Sequence, residues 1–255
     1  MTRPTGLLPR RPETRRLYAA ERAYGDTPQN LATVVQRVSG IRDQRAKPSC
    51  VGQALAACVD ALDPRAHGVR CSAVDLWVDA RRRQGDLEGV HDGTRAEYAI
   101  ESLIHRGWSP RADGEDTRPE ADDARLTSLS AELSAYDHRL TGARHYAITG
   151  NRVAQTIAAL RAGLGVVVGT GTRPSYGSPP RDVVLGLEYL GGDDDGHEQR
   201  IVGWSENRRA FVAQNSWGAG WGGCVVDGVT YPGCALVSPE VIGAAWDVDA
   251  IEVSR

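Results

Sequence analysis

The chain changes its hydrophobic period about half way along, and that switch limits its fold more than any other feature. Residues 48–62 are Ala-rich, apolar on nearly every side, and stop before Asp63-Pro64, which predicts a buried helix. A second helix is expected after Ser72, where Asp75 completes a capping-box-like pair, and runs to about Arg83. A third covers residues 95–105, with Ala96, Ala99, Ile100, Leu103 and Ile104 on one face and Gly107 as its stop. Residues 110–130 are acidic and loop-like. Beyond them the pattern is that of short strands, over 145–148, 165–169, 199–204, 210–214 and 248–253, with one helix capped by Asn151 and ending near Arg161. A helical half followed by a β half predicts an α+β architecture.

At 255 residues the chain suits one large domain or two closely packed lobes, and it is long enough to build a core without a metal or disulfide. A net charge of -3 gives no mark of a nucleic-acid or anionic-membrane partner. No window is apolar enough for a transmembrane helix, and the N-terminus has no run of signal-peptide length, so the expected location is cytoplasmic or outside the cell by a route that uses no such signal. The five cysteines are Cys50, Cys58, Cys71, Cys224 and Cys234, an odd number that fits a reducing compartment. Residues 1–27, rich in Pro and Arg at first, read as an N-terminal strap segment or a tail.

Three residue types in one order carry the chemistry. Cys50 opens the predicted buried helix, where unpaired backbone N–H groups and the helix dipole favour a thiolate, the nucleophilic form. Cys58, farther along the same helix, reads as core. His197 follows a Gly/Asp-rich turn and immediately precedes an apolar strand, at whose edge it can face a neighbouring lobe as a general base. Asn215 ends the next strand. If the two strands pair as a hairpin, His197 and Asn215 are neighbours, and the amide oxygen can accept the imidazole N–H. Trp217 can lie over that bond and exclude water. Gln44 can donate toward an oxyanion beside the helix start, together with the Cys50 backbone N–H. The aspartates before His197 lack the spacing of a calcium site, and no metal or cofactor is called for.

Gln44 with Cys50, Gly196-His197, and Asn215-Ser216-Trp217-Gly218 followed by Trp221-Gly222 resemble the papain-type (C1) cysteine peptidases, in the style of short bacterial or phage members without an inhibitory propeptide. The His and Asn lie 147 and 165 residues downstream of Cys50. The resemblance implies a papain-like two-lobe fold, with a helical left lobe over 28–134 carrying Cys50 and a β-barrel-like right lobe over 135–255 carrying His197 and Asn215. It implies an active-site cleft between them and peptide-bond hydrolysis through an acyl-enzyme. By the same resemblance Cys50 is the nucleophile, His197 the base, Asn215 its orienter and Gln44 the oxyanion-hole side chain. Gly93, Asp195, Trp217 and Trp221 line the substrate site, and the partner is a peptide or protein.

The same chemistry would serve a deamidase, a transamidase or a cell-wall peptide hydrolase. A non-catalytic component of a larger assembly could keep the fold. Lys47 and Val51 stand where the family usually has a Cys and an aromatic. Glu198 replaces a small residue, and it either raises the imidazole's pKa or faces solvent. Cys224 and Cys234 flank an Asp227-Gly228 hairpin turn, but simple register sets Cys224 opposite Tyr231, which favours thiols over a bridge.

Overall fold

The structure, a computed structural model, describes residue 7, the backbone of 18–19, and residues 32–45, 47–85, 93–110, 143–191 and 195–253. The expected acidic loop, beyond Pro110, lies outside the described residues, as does most of the N-terminal segment.

The helical part forms as its sequence signals dictate. Helix α1 spans Cys50–Leu62, and its residues from Cys50 through Asp60 are all buried. Helix α2, Ala73–Gln84, begins where Ser72 Oγ accepts the Asp75 N–H at 3.1 Å and ends on Gly85, whose φ of 82° suits glycine. Helix α3, Ala96–Arg106, stops at Gly107, and its Ala96, Ala99, Ile100 and Leu103 enter the core while Ile104 packs at its margin. Gly52 sets the α1–α2 crossing. A Cβ there would run into the Ala73 carbonyl, so only glycine allows the two backbones to close. Asp79 of α2 binds Arg83 at 3.1 Å and Arg106 of α3, which ties the second pair.

The β part is a nine-stranded sheet. Its strands are β1 (Tyr18–Ala19), β2 (Val34–Val35), β3 (Arg144–Ala147), β4 (Gly165–Gly171), β5 (Val184–Leu185), β6 (Gly196–Ser205), β7 (Ala210–Gln214), β10 (Cys234–Val237) and β11 (Asp247–Glu252). The path runs β1-β3-β11-β4-β6-β7-β10-β5, with β2 added on β6. Pairing is antiparallel except for β1 with β3 and β5 with β10. Among the described residues this path does not close into a barrel. A separate hairpin, β8 (Cys224–Val226) with β9 (Val229–Tyr231), turns on Asp227 and Gly228, both at positive φ. Cys224 pairs with Tyr231 as the register argument requires. Helix α4, Arg152–Arg161, is capped by the Asn151 side chain on Ala154 N at 3.1 Å, and α5 spans Pro239–Ala244.

Helix α1 packs against β4 and β6, and every residue of both strands is buried. Along β6 the side chains alternate. His197, Gln199 and Ile201 belong to the face that holds the aromatic core, while Glu198 and Arg200 face α1. A bulge between Ile201 and Gly203 then shifts the register. The buried pair Arg42–Asp60, at 2.6 Å, anchors the segment ahead of α1, with Arg42 also donating to the Cys71 carbonyl at 2.8 Å. Leu7 is buried too. Its N–H donates to the Gly196 carbonyl at 3.0 Å, and its backbone bridges Thr94 on the helical side.

Replacing Gly52 by Ala should lower the unfolding free energy by about 1–3 kcal/mol, because the added methyl forces α1 and α2 apart. Urea denaturation with an unchanged m-value would register this. A variant as stable as the parent would mean the crossing is not set at that contact.

Candidate active site

Cys50 is the first residue of α1 and is 0% exposed. Ser49, in the N-cap position, makes no side-chain capping bond, and no acidic residue stands in the first turn. The positive end of the helix is therefore not offset by its own side chains where the thiol sits.

His197 is also 0% exposed, but it lies inside β6, paired with Thr170 of β4, not ahead of the strand as the sequence suggested. Three more ladder residues, Gly196, His197 and Glu198, extend the strand into what reads as a turn, because their neighbours on β4 continue as well. The ring Nε2 lies 2.7 Å from Asn215 Oδ1. The Ser216 backbone N–H donates to the same oxygen at 2.6 Å. A backbone N–H can only donate, so it fixes which end of the amide faces the ring. Nε2 must then carry the proton, which leaves the Nδ1 lone pair as the basic site.

Trp217 lies against the imidazole, with ring centroids 4.4 Å apart and planes inclined by 32°. It is backed edge-on by Tyr176 at 5.6 Å and Trp221 at 5.9 Å. Trp221 is 3% exposed and donates its Nε1 proton to the Tyr176 carbonyl at 2.9 Å, while the Tyr176 hydroxyl bonds Gln199. Burial pushes that hydroxyl far above the ordinary tyrosine range. Of the four residues expected to line the substrate site, Trp217 and Trp221 thus form a buried wedge behind His197. Gly93 is buried just ahead of α3, and Asp195 is exposed, its carbonyl accepting the Thr172 N–H at 2.9 Å.

Gln44 links the two halves of the site. Its N–H donates to the Ser216 carbonyl at 2.8 Å, its Oε1 accepts the Ser216 hydroxyl at 2.6 Å, and its Nε2 donates to the Lys47 carbonyl at 2.8 Å. Asp43 bridges Trp217, and Gly218 N–H donates to the Arg42 carbonyl at 3.0 Å. Residues 42–44 thus run beside 216–218, joining the segment before Cys50 to the segment after Asn215. This short ladder has no sequence signature, since neither stretch shows a strand period. Glu198, 1% exposed, does not face solvent. It sits under Gly169 with Leu7 and Asp247, where a Cβ at position 169 would lie 3.0 Å from its Oε2.

All five cysteines are thiols. Burial pushes Cys58 and Cys224 up to about 11 and Cys234 higher still. Among the described residues no helix is long and apolar enough to cross a membrane.

No protein-family model matches the chain, and no curated protein matches its sequence. Its shape does match solved structures. Xylellain, a cysteine protease from Xylella fastidiosa, aligns over 100% of this chain and 99% of its own, with a TM-score of 0.69 at 18% identity. Procathepsin L2 proteinase from Tenebrio molitor larval midgut aligns over 97% of this chain and 77% of its own, with 0.67 at 17%. The Carica candamarcensis cysteine protease CMS1MS2, solved with E-64, aligns over 88% and 99%, with 0.63 at 17%. The chain has the papain-like α+β fold.

The amide–imidazole bond fixes one neutral tautomer, so at alkaline pH, where the ring is neutral, Asn215→Ala should convert His197 from a single Nε2–H form to a tautomer mixture. Nitrogen-15 NMR of labelled histidine reads this directly. A ring that stays in one tautomer in the variant would show that Asn215 does not set it.

Proposed function

We propose that the chain is a cysteine peptidase that hydrolyses peptide bonds with Cys50 as nucleophile. The observation that carries the reading is the 2.7 Å bond from His197 to Asn215 under Trp217, on a strand packed against the helix that Cys50 opens. The fold shared with cysteine proteases supports it.

In this reading the helix terminus favours the Cys50 thiolate, and His197, held by Asn215, takes the thiol proton on Nδ1. The Asn215 oxygen stabilises the resulting imidazolium through Nε2–H, and the buried tryptophan wedge keeps water from competing for that bond. The thiolate attacks the scissile carbonyl carbon. The negative charge that forms on its oxygen is met by the Cys50 N–H and by an amide N–H of Gln44. His197 then passes its proton to the departing amine, which leaves an acyl-enzyme. His197 next draws a proton from water, whose attack releases the acid and restores the thiol. The Asp195 carboxylate, exposed two residues before His197, would favour a basic or polar side chain in the adjoining pocket.

Cys50→Ala should abolish peptide cleavage, a loss of several orders of magnitude. Iodoacetamide at neutral pH should label Cys50 ahead of Cys58, Cys224 and Cys234, whose raised pKa values leave almost no thiolate there. Peptide mapping by mass spectrometry identifies the labelled thiol. Full hydrolysis by Cys50→Ala, or Cys50 left unlabelled, would overturn the reading.

A further inference from the structure

Behind the His197–Asn215 pair, between α1 and the sheet, lies a cavity lined by Arg42, Gln53, Ala54, Ala57, Glu198, Gln214, Asn215 and Ser216. It leaves about 10 Å³ for the centre of a water molecule, close to the room that one buried water needs. Six of its eight lining residues carry polar side chains, although the wall they leave exposed is more apolar than polar, and such a cavity is hydrated where two to four polar groups converge.

Two donors in this lining are buried and meet no acceptor among the described residues: Asn215 Nδ2 and Arg42 Nε. Asn215 is 2% exposed, and its Oδ1 is already committed to the His197 ring and the Ser216 N–H. The other end of the amide is therefore the end left for the cavity. Gln214 has both ends engaged, by Arg200 at 3.3 Å and by the Gly40 carbonyl at 2.7 Å. Gln53 already accepts from Arg42 at 3.4 Å. The strongest acceptor in the lining is the Glu198 carboxylate.

We propose that one ordered water bridges Asn215 Nδ2 to the Glu198 carboxylate, making Glu198 a positioning residue for His197. The water accepts from Asn215, with its second lone pair available to Arg42 Nε, and donates to Glu198. The chain of contacts runs from Glu198 through water to Asn215, and from Asn215 Oδ1 to His197 Nε2. Each link polarises the next, so a negative charge at Glu198 strengthens the hold of Asn215 on the imidazolium. The proposal rests on the peptidase reading for its consequence, but not for its geometry.

Several groups stand near the Glu198 carboxylate among the described residues. Arg42, paired with Asp60, faces it across the cavity, and Asp247 of β11 meets it under Gly169. Arg200 follows two residues along the same face of β6, and the Cys58 thiol of α1 feels both Arg200 and Glu198. His197 projects from the opposite face. Removing the Glu198 charge takes away a negative group near the imidazolium, so its pKa falls.

The test has two arms on the full chain. A crystal structure that orders single waters should place one within about 3 Å of both Asn215 Nδ2 and a Glu198 oxygen. A dry cavity, or a water out of reach of Glu198, overturns the proposal whether or not the protein cleaves peptides. In the second arm, Glu198→Gln should keep its melting temperature and its KM while the alkaline limb of the kcat/KM profile moves down by about half a pH unit or more. Glu198→Ala should lower kcat about tenfold at unchanged KM. Profiles that match the parent overturn the proposal. A parent chain that neither cleaves peptides nor reacts with a thiol probe instead overturns the peptidase reading, and the crystal arm still decides on the water. If the Glu198 variants do not fold, the crystal arm again decides.

Discussion

From Cys50 to Asp60, α1 has no solvent face. A helix in that position must be matched on every side, and the matching shapes what surrounds it. On one side Gly52 lets α2 close onto it, and on another Gly165 accepts Cys58 so that β4 can approach. Toward the sheet it meets Glu198 and Arg200, both buried. Arg200 binds the Arg37 carbonyl, Gln36 and Gln214, and Arg42 binds Asp60 from the segment that leads into the helix. The thiol at the helix start is thus carried on a helix that is buried from Cys50 to Asp60.

Strand alternation does the rest. Successive residues of β6 point to opposite faces, so His197 and Glu198 serve different neighbourhoods although they are adjacent in sequence. One face offers Trp217, Tyr176 and Trp221, an apolar wedge that screens the imidazole–amide bond. The other offers a cavity where Arg42, Gln53, Glu198 and Gln214 meet. Asn215 stands where these meet, just past the end of β7, which lets its two amide ends answer to different surroundings.

Much of this was legible in the sequence, for physical reasons. Ser72, Gly107 and Asn151 mark helix ends because capping is local chemistry, and the helix bounds fell within a residue or two of expectation. The pairing of His197 with Asn215 followed from hairpin geometry alone, and so did Tyr231 opposite Cys224. Elements of two residues, such as β2 and β5, carry no period to read. The start of β6 was hidden because Gly196 looks like turn chemistry. In the fold it is glycine because a Cβ there would strike the Leu7 carbonyl and Trp246, a contact from far away in the chain. The burial of Glu198 was equally out of reach, since a glutamate after a histidine reads as solvated until the cavity that receives it is known.

The same logic bears on the two departures near the thiol. Lys47 stands where similar proteins usually have a cysteine, yet the group that shapes the turn is its backbone carbonyl, which accepts the Gln44 amide at 2.8 Å. A carbonyl is present whatever the side chain, so Gln44 can be aimed without that cysteine. Val51 replaces an aromatic, but it is 0% exposed and packs in the helical core, where shape and volume decide. Neither change removes a polar contact that holds Cys50, Gln44 or Asn215 in place. This is consistent with a shape that superposes at TM-scores of 0.63–0.69 on proteins sharing only 17–18% of its residues. What persists at that distance is the fold.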